Sequence, residues 1–230
     1  MRRLVLFDID GTLLLSASAG RHAIQAAFAE EFADLSFFES VRFDGKTDPQ
    51  IVGELYAAAG APERATPERT LEILDRYVSH LEREVSLRAD RVQPLPGIVP
   101  LLDALAERPA AVVGLLTGNI VRGAALKLGA AGLALERFTL GAYGSDSGHR
   151  PDLPPIAAER AAAHFGRVPS GAEVVILGDT PADVTCGNSI GARAIGVATG
   201  AYSREELLAA GAYAAFDTLA DTEAVLQAIF

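Results

Sequence analysis

Three apolar runs in this chain end abruptly in residues able to do chemistry. Leu4-Val-Leu-Phe7 is followed by Asp8 and Asp10, then by Gly11 and Thr12. Two acids one residue apart repel each other unless a proton or a cation sits between them, and a divalent metal is the economical answer. The second run ends in Thr117-Gly118-Asn119 just before a helical stretch. A hydroxyl and the amides of Gly118 and Asn119 at a positive helix end suit a phosphate group. Asn119 equally reads as a simple helix cap. The third run ends in Gly178-Asp179-Thr180, with Asp183 three residues past Thr180. Thr180, Pro181 and Asp183 have the order of an N-terminal capping arrangement, with the threonine as cap and the proline first in the helix.

These side chains need a scaffold that brings distant segments to one edge. Residues 3–8 read as a central strand, apolar on both faces rather than alternating. Further strands are expected at 111–116, 138–140, 174–177, 194–197 and 214–216. Helices are expected at 98–105, from about 124 to Gly129, at 155–165, from Pro181, at 204–209 and from about Thr218. Alternating strands and helices imply an α/β fold with a doubly wound parallel sheet. Ligands of such sheets bind outside the carboxyl ends of the strands, where the strand order reverses. Residues 16–87 differ, with helical periodicity and no continuous β-run. Ala23, Ala26, Ala27, Phe28 and Phe32 form one apolar stripe. A second helix is expected after Asp48-Pro49, with Asp48 or Thr47 as cap, and a long amphipathic third after Thr66-Pro67. The expected organisation is an α/β core of residues 1–15 and 88–230 with a helical insert at 16–87.

Composition narrows the partners. Half of the 230 residues are hydrophobic, enough for a sizeable core, and 30 acidic against 20 basic side chains give a formal charge of −10. Nucleic acid and anionic membrane are poor partners for such a chain. The single cysteine, Cys186, excludes an internal disulfide and any multi-cysteine metal site. The N-terminal apolar run meets Asp8 too soon to be a secretion signal or a membrane span, so a cytoplasmic protein is expected. Only Lys46 and Lys127 are lysines; the other 18 basic residues are arginines.

Asp8-Ile-Asp-Gly-Thr12 resembles the first motif of the haloacid dehalogenase superfamily of phosphohydrolases. The resemblance implies a Rossmann-like core under a small helical cap, with Asp8 as nucleophile and Asp10 as general acid and base. Thr117-Gly118-Asn119 resembles the second motif, which binds phosphate. Gly178-Asp-Thr-Pro-Ala-Asp183 resembles the fourth, whose acids hold Mg²⁺. That implies a metal set of Asp8, the Asp10 backbone carbonyl and Asp179, with Asp183 as ligand, as support behind the ligands, or as cap. The family's third motif is a lysine before a proline, and the chain departs from it. Gly148-His-Arg-Pro-Asp152 offers Arg150, which keeps the charge for catalysis and phosphate binding while replacing a point charge by a planar fork. Lys127, well inside a helix, and Lys46, in the insert, are worse alternatives. Gly45-Lys-Thr-Asp48 resembles a cap loop of phosphoglycolate phosphatase-like members, which would bring Lys46 to the substrate. Haloalkanoate dehalogenases need no acid at the place of Asp10, and phosphonatases have a small residue there, so Asp10 argues against both. The implied activity is Mg²⁺-dependent hydrolysis of a small phosphorylated metabolite, with phosphoglycolate as one choice, by a monomer or homodimer. The alternatives are a phosphosugar mutase, for which His22 would be the cap histidine to test, and a non-catalytic Mg²⁺ or phosphate-binding module.

Overall fold

The computed structural model describes residues 2–230. In chain order, β1 (Arg3–Phe7) and the two-residue β2 (Leu14–Leu15) precede three helices, α1 (Ala19–Ala29), α2 (Asp48–Ala58) and α3 (Pro67–Leu87). Then follow β3 (Gln93–Pro94), α4 (Ile98–Ala106), β4 (Ala111–Thr117), α5 (Val121–Ala130), β5 (Leu140–Tyr143) and α6 (Leu153–Phe165). The chain closes with β6 (Val174–Gly178), α7 (Pro181–Cys186), β7 (Arg193–Val197), α8 (Arg204–Ala209), β8 (Ala214–Phe216) and α9 (Thr222–Ile229). Among the described residues no helix is long and apolar enough to cross a membrane.

Six strands form one parallel sheet in the order β5-β4-β1-β6-β7-β8. From β1 the chain builds outward through β4 and β5, then crosses back to β6 on the other side of β1. That reversal is the switch point at which such folds bind ligands. The unbroken apolar run of β1 has a physical cause: Val5 and Phe7 pack into the layer of α4, α5 and α9, while Leu4 and Leu6 pack into that of α6. With a layer on each face, every side chain of the strand is buried.

The helices of the 16–87 segment meet in a second hydrophobic cluster, to which Ile120 ahead of α5 also contributes. Phe28 lies 5.0 Å from Tyr56 and 5.6 Å from Phe38, ring centre to ring centre. At its edge the buried carboxylate of Glu31 is matched by Arg64 at 2.6 Å, Arg69 at 2.5 Å and Arg76 at 3.0 Å. The antiparallel pair β2–β3 joins the two places where the chain leaves and re-enters the α/β part, a feature too short to register as sequence periodicity.

Several element ends differ from expectation. Of the two cap candidates for α2 it is Thr47 whose hydroxyl accepts from the Gln50 amide, at 3.2 Å, so Pro49 stands second rather than first in the helix. The edge strand covers Leu140–Tyr143 rather than 138–140, because a 3-10 turn at Leu135–Arg137 delays it until Leu140 pairs with Gly114. The last helix starts at Thr222, where the Asp221 carboxylate accepts from the Ala224 amide, rather than near Thr218.

Candidate active site

The polar clusters meet because β4, β1 and β6 are neighbours. Phe7 is level with Leu115 on one side and Leu177 on the other, so Asp8, Thr117 and Asp179 stand at three adjacent strand tips. The Asp8 amide donates to the Leu177 carbonyl at 2.9 Å, extending the ladder by one step and fixing the carboxylate at the sheet edge.

Asp8, Asp179 and Asp183 each offer an oxygen within 4.8 Å of the others, the only such acid group of metal-binding size among the described residues. All three are buried. Arg150, also buried, answers part of the charge: one of its terminal nitrogens donates to Asp8 Oδ1 at 3.0 Å and also to Asp183 Oδ1. Asp183 is the capping acid as well, its Oδ2 accepting from the Thr180 amide at 3.1 Å and the Thr180 hydroxyl at 2.6 Å. Both oxygens of Asp183 are thus engaged within the protein. Asp179 is different, because its Oδ1 is buried without a partner. Gly11 and Gly200 leave room for it; a Cβ at either would overlap its carboxylate. Burial first, then the charges of Asp183 and Asp8, push the Asp179 pKa up to about 9. Burial and Asp183 also raise Asp8, against the pull of Arg150. A buried carboxylate with an idle oxygen beside two more acids is the donor set of a hard divalent cation such as Mg²⁺, so the residues present fit that ion.

Asp10 points elsewhere. Its Oδ1 accepts from the Ser16 hydroxyl at 2.8 Å, and its Oδ2 accepts from Asn119 Nδ2 at 2.9 Å and Lys127 Nζ at 2.5 Å. The side chain therefore lies outside the three-acid group, which leaves only its backbone carbonyl as a ligand. Burial works to raise the Asp10 pKa, but the charge of Lys127 and the donors from Lys127, Asn119 and Ser16 outweigh it and hold it below the ordinary value.

Around the Thr117 turn the expected phosphate cradle is partly taken. Of the two expected amides, that of Asn119 donates to Thr117 Oγ1 at 3.3 Å; beyond them the Ile120 amide donates to Asp48 Oδ2 at 2.8 Å and the Val121 amide to the Ser145 hydroxyl at 3.0 Å, so protein acceptors already satisfy the start of α5. The Asn119 side chain does not cap that helix; it bridges Thr117 Oγ1 at 2.8 Å to Asp10 and Lys127. The Asp48 amide donates to the Gly118 carbonyl at 2.8 Å, and the backbone of Lys46 covers Gly118 so closely that a Cβ there would strike its carbonyl. The insert's 45–48 loop thus seats directly on the Thr117 turn.

Between insert and sheet edge lies a cavity of about 570 Å³. Its lining includes Asp8, Asp10, Thr117, Gly118, Asn119, Arg150 and Asp179 from the sheet edge, and Arg21, Arg42 and Lys46 from the insert. The Lys46 ammonium pairs with Glu54, and Arg42 lies 3.4 Å from Asp44. His22 is not part of the lining; its Nδ1 lies 3.2 Å from an Arg88 nitrogen. His149 is exposed beside Asp152. Sequence reasoning passed over two contributors, Asp48 and Lys127. Asp48 carried an ordinary capping signal, which hid a cap made to a different helix. Lys127 had a legible signal: with Gly123, Ala124 and Leu128 it falls on the buried stripe of α5, where a lysine needs a partner.

Residues 2–191 match the family model of the haloacid dehalogenase-like hydrolases. A phosphoglycolate phosphatase of Rhodospirillum rubrum is 29% identical over 225 residues, covering 96% of this chain and 89% of that protein. Another, from Cereibacter sphaeroides, is 30% identical over 193 residues and covers 82% of each. The crystal structure of a hydrolase from Pseudomonas syringae shares the fold, with a TM-score of 0.75 at 23% identity over 99% of this chain and 98% of that one. The family match takes in the β1 tip, the Thr117 turn and the segment from Asp179 to Asp183, and with it the chain belongs to the haloacid dehalogenase-like hydrolases.

Proposed function

We propose that this hydrolase is a Mg²⁺-dependent phosphomonoesterase that passes through an aspartyl-phosphate on Asp8. The observation that carries the reading is the pairing of Asp8, held at one oxygen by Arg150, with the idle buried oxygen of Asp179 at the floor of the cavity. Asp8 Oδ attacks phosphorus and the bond to the leaving oxygen breaks; Asp10, whose depressed pKa the incoming phosphate dianion raises so that it takes up a proton on Oδ1, delivers that proton to the leaving oxygen. In the second step Asp10 takes a proton from water, whose oxygen displaces Asp8 and releases inorganic phosphate. The Arg150 guanidinium and the Thr117 hydroxyl stabilise charge on the phosphoryl oxygens. Mg²⁺, held by Asp8, Asp179 and the Asp10 carbonyl, supplies further neutralisation of that charge when bound. Asp183 acts behind the ligands, as cap of α7 and counter-charge to Arg150. The insert serves as the cap, its 45–48 loop closing over the Thr117 turn and excluding bulk water.

Small phosphorylated metabolites are the substrate class in view of the cavity volume and the three insert cations. Phosphoglycolate is the first compound to try, being the substrate named for the two relatives above. For the mutase alternative the cavity lining offers no histidine among the described residues, His22 lying beside Arg88. The experiment is turnover of p-nitrophenyl phosphate and a panel of metabolite phosphates with Mg²⁺, alongside EDTA and Asp8→Asn controls. Turnover abolished by both controls is expected; no turnover of any ester would favour a binding module instead.

A further inference from the structure

Lys127 has no place in the scheme above, yet it is one of the most deeply committed charges in the protein. Its side chain is 5% exposed, and its ammonium donates to Asp10 Oδ2 at 2.5 Å and to Asn119 Oδ1 at 2.6 Å. The residue also borders the cavity, and the insert comes close to its ammonium. A Cβ on Gly20 of α1 would lie 3.2 Å from Lys127 Nζ and 3.7 Å from the Tyr77 hydroxyl of α3. A lysine on the apolar stripe of a helix is costly to bury unless its donors are matched, and here the match is the carboxylate that must face the leaving group.

We propose that Lys127 is a positioning residue for Asp10: from the buried face of α5 it pins Oδ2, with Asn119, while Ser16 holds Oδ1. Three donors on two oxygens, drawn from α5, from the Thr117 turn and from the strand-to-insert connection, fix both the position and the plane of the carboxylate. They also keep it turned away from the three-acid group, where like charge would repel it. The ordinary counter-charge to the nucleophile is Arg150, so the two cations divide the work: Arg150 serves Asp8 and Lys127 serves Asp10. Gly20 brings α1 close to the ammonium, so packing of the insert and placement of Asp10 meet at one residue.

This inference rests on the phosphatase reading, and the test separates the two. Wild-type, Lys127→Met and Lys127→Gln proteins are assayed with an alkyl phosphate and with 2,4-dinitrophenyl phosphate, whose leaving group departs without protonation. A positioned acid contributes roughly 100-fold or more where the leaving oxygen needs a proton. Both variants are therefore expected to lose about that factor in kcat on the alkyl ester, with KM little changed, and less than about threefold on the dinitrophenyl ester. In an Asp10→Asn background the same substitutions should cost almost nothing further. Equal losses on both esters, or full additivity with Asp10→Asn, would overturn the proposal. Failure of both variants to fold would overturn it too, since Lys127 would then be a structural ion pair. Absence of wild-type turnover on either ester would instead sink the phosphatase reading, and this inference with it.

Discussion

At the scale of single residues the site is an exercise in matching buried charge. Arg150 reaches both Asp8 and Asp183 through one terminal nitrogen, so its planar fork is not used bidentately on either acid. A point charge at that place would preserve much of the interaction, whereas a neutral side chain would leave two buried acids unanswered. Arg150→Lys is accordingly expected to stay folded with measurable phosphatase activity. Arg150→Met should lose activity and about 3–5 kcal/mol of stability, the usual cost of breaking a buried pair from one side. Urea unfolding with the metal removed checks the second figure; equal stability of the Met and Lys variants would refute the assigned role. Burial works to lower the Arg150 pKa, but the charges of Asp183 and Asp8 outweigh it and raise it further above its ordinary value, so the guanidinium stays charged throughout the working range.

At the scale of elements, the insert's 47–48 segment reaches backbone groups of the sheet edge through two side chains and one amide. The Thr47 hydroxyl accepts from the start of α2 and donates to the Gly148 carbonyl at 2.7 Å, beside the turn that carries Arg150. Asp48 adds a cap to α5 from across the cavity. Gly118 is where the Lys46 backbone comes so close that a side chain would collide with it. Gly118→Ala should force the 45–48 loop off the Thr117 turn, at an overpacking cost of about 1–3 kcal/mol and with a raised KM. An alanine variant with wild-type stability and KM would mean that the loop does not rest there in solution. Asp48→Ala should cost about 1 kcal/mol, the ordinary worth of a cap, read from the midpoint of urea unfolding.

At the scale of the whole molecule, the acid group makes stability depend jointly on pH and metal. Without metal, Asp179 has its pKa raised to about 9, chiefly by burial, and Asp8 is raised by the same cause. An acid raised in the folded state keeps a proton that the unfolded chain has already released. Its contribution is therefore complete below about pH 4 and is lost as pH climbs toward 9. Mg²⁺ can replace that proton. In EDTA the melting temperature should fall between about pH 5 and pH 8, and added Mg²⁺ should raise it more at the higher pH. A Mg²⁺-induced shift that is the same at both pH values, followed by differential scanning fluorimetry, would count against these acids as the ion's site.

Chain order and residue type alone determined most of the scaffold. The β1 run, apolar on both faces, required a covered parallel sheet, and the alternation after residue 98 required helices on its two sides, because backbone and side-chain periodicity are local properties. The same locality exposed Asp8, Thr117 and Asp179 at strand tips. Only the folded molecule decided which acids face one another and which cation serves each. Lys127 lies 117 residues from Asp10 along the chain, and Asp48 lies 72 from the amide it caps. Such pairings are made by the packing of α5 against the insert, and a long side chain on a buried stripe takes whatever partner that packing brings within reach.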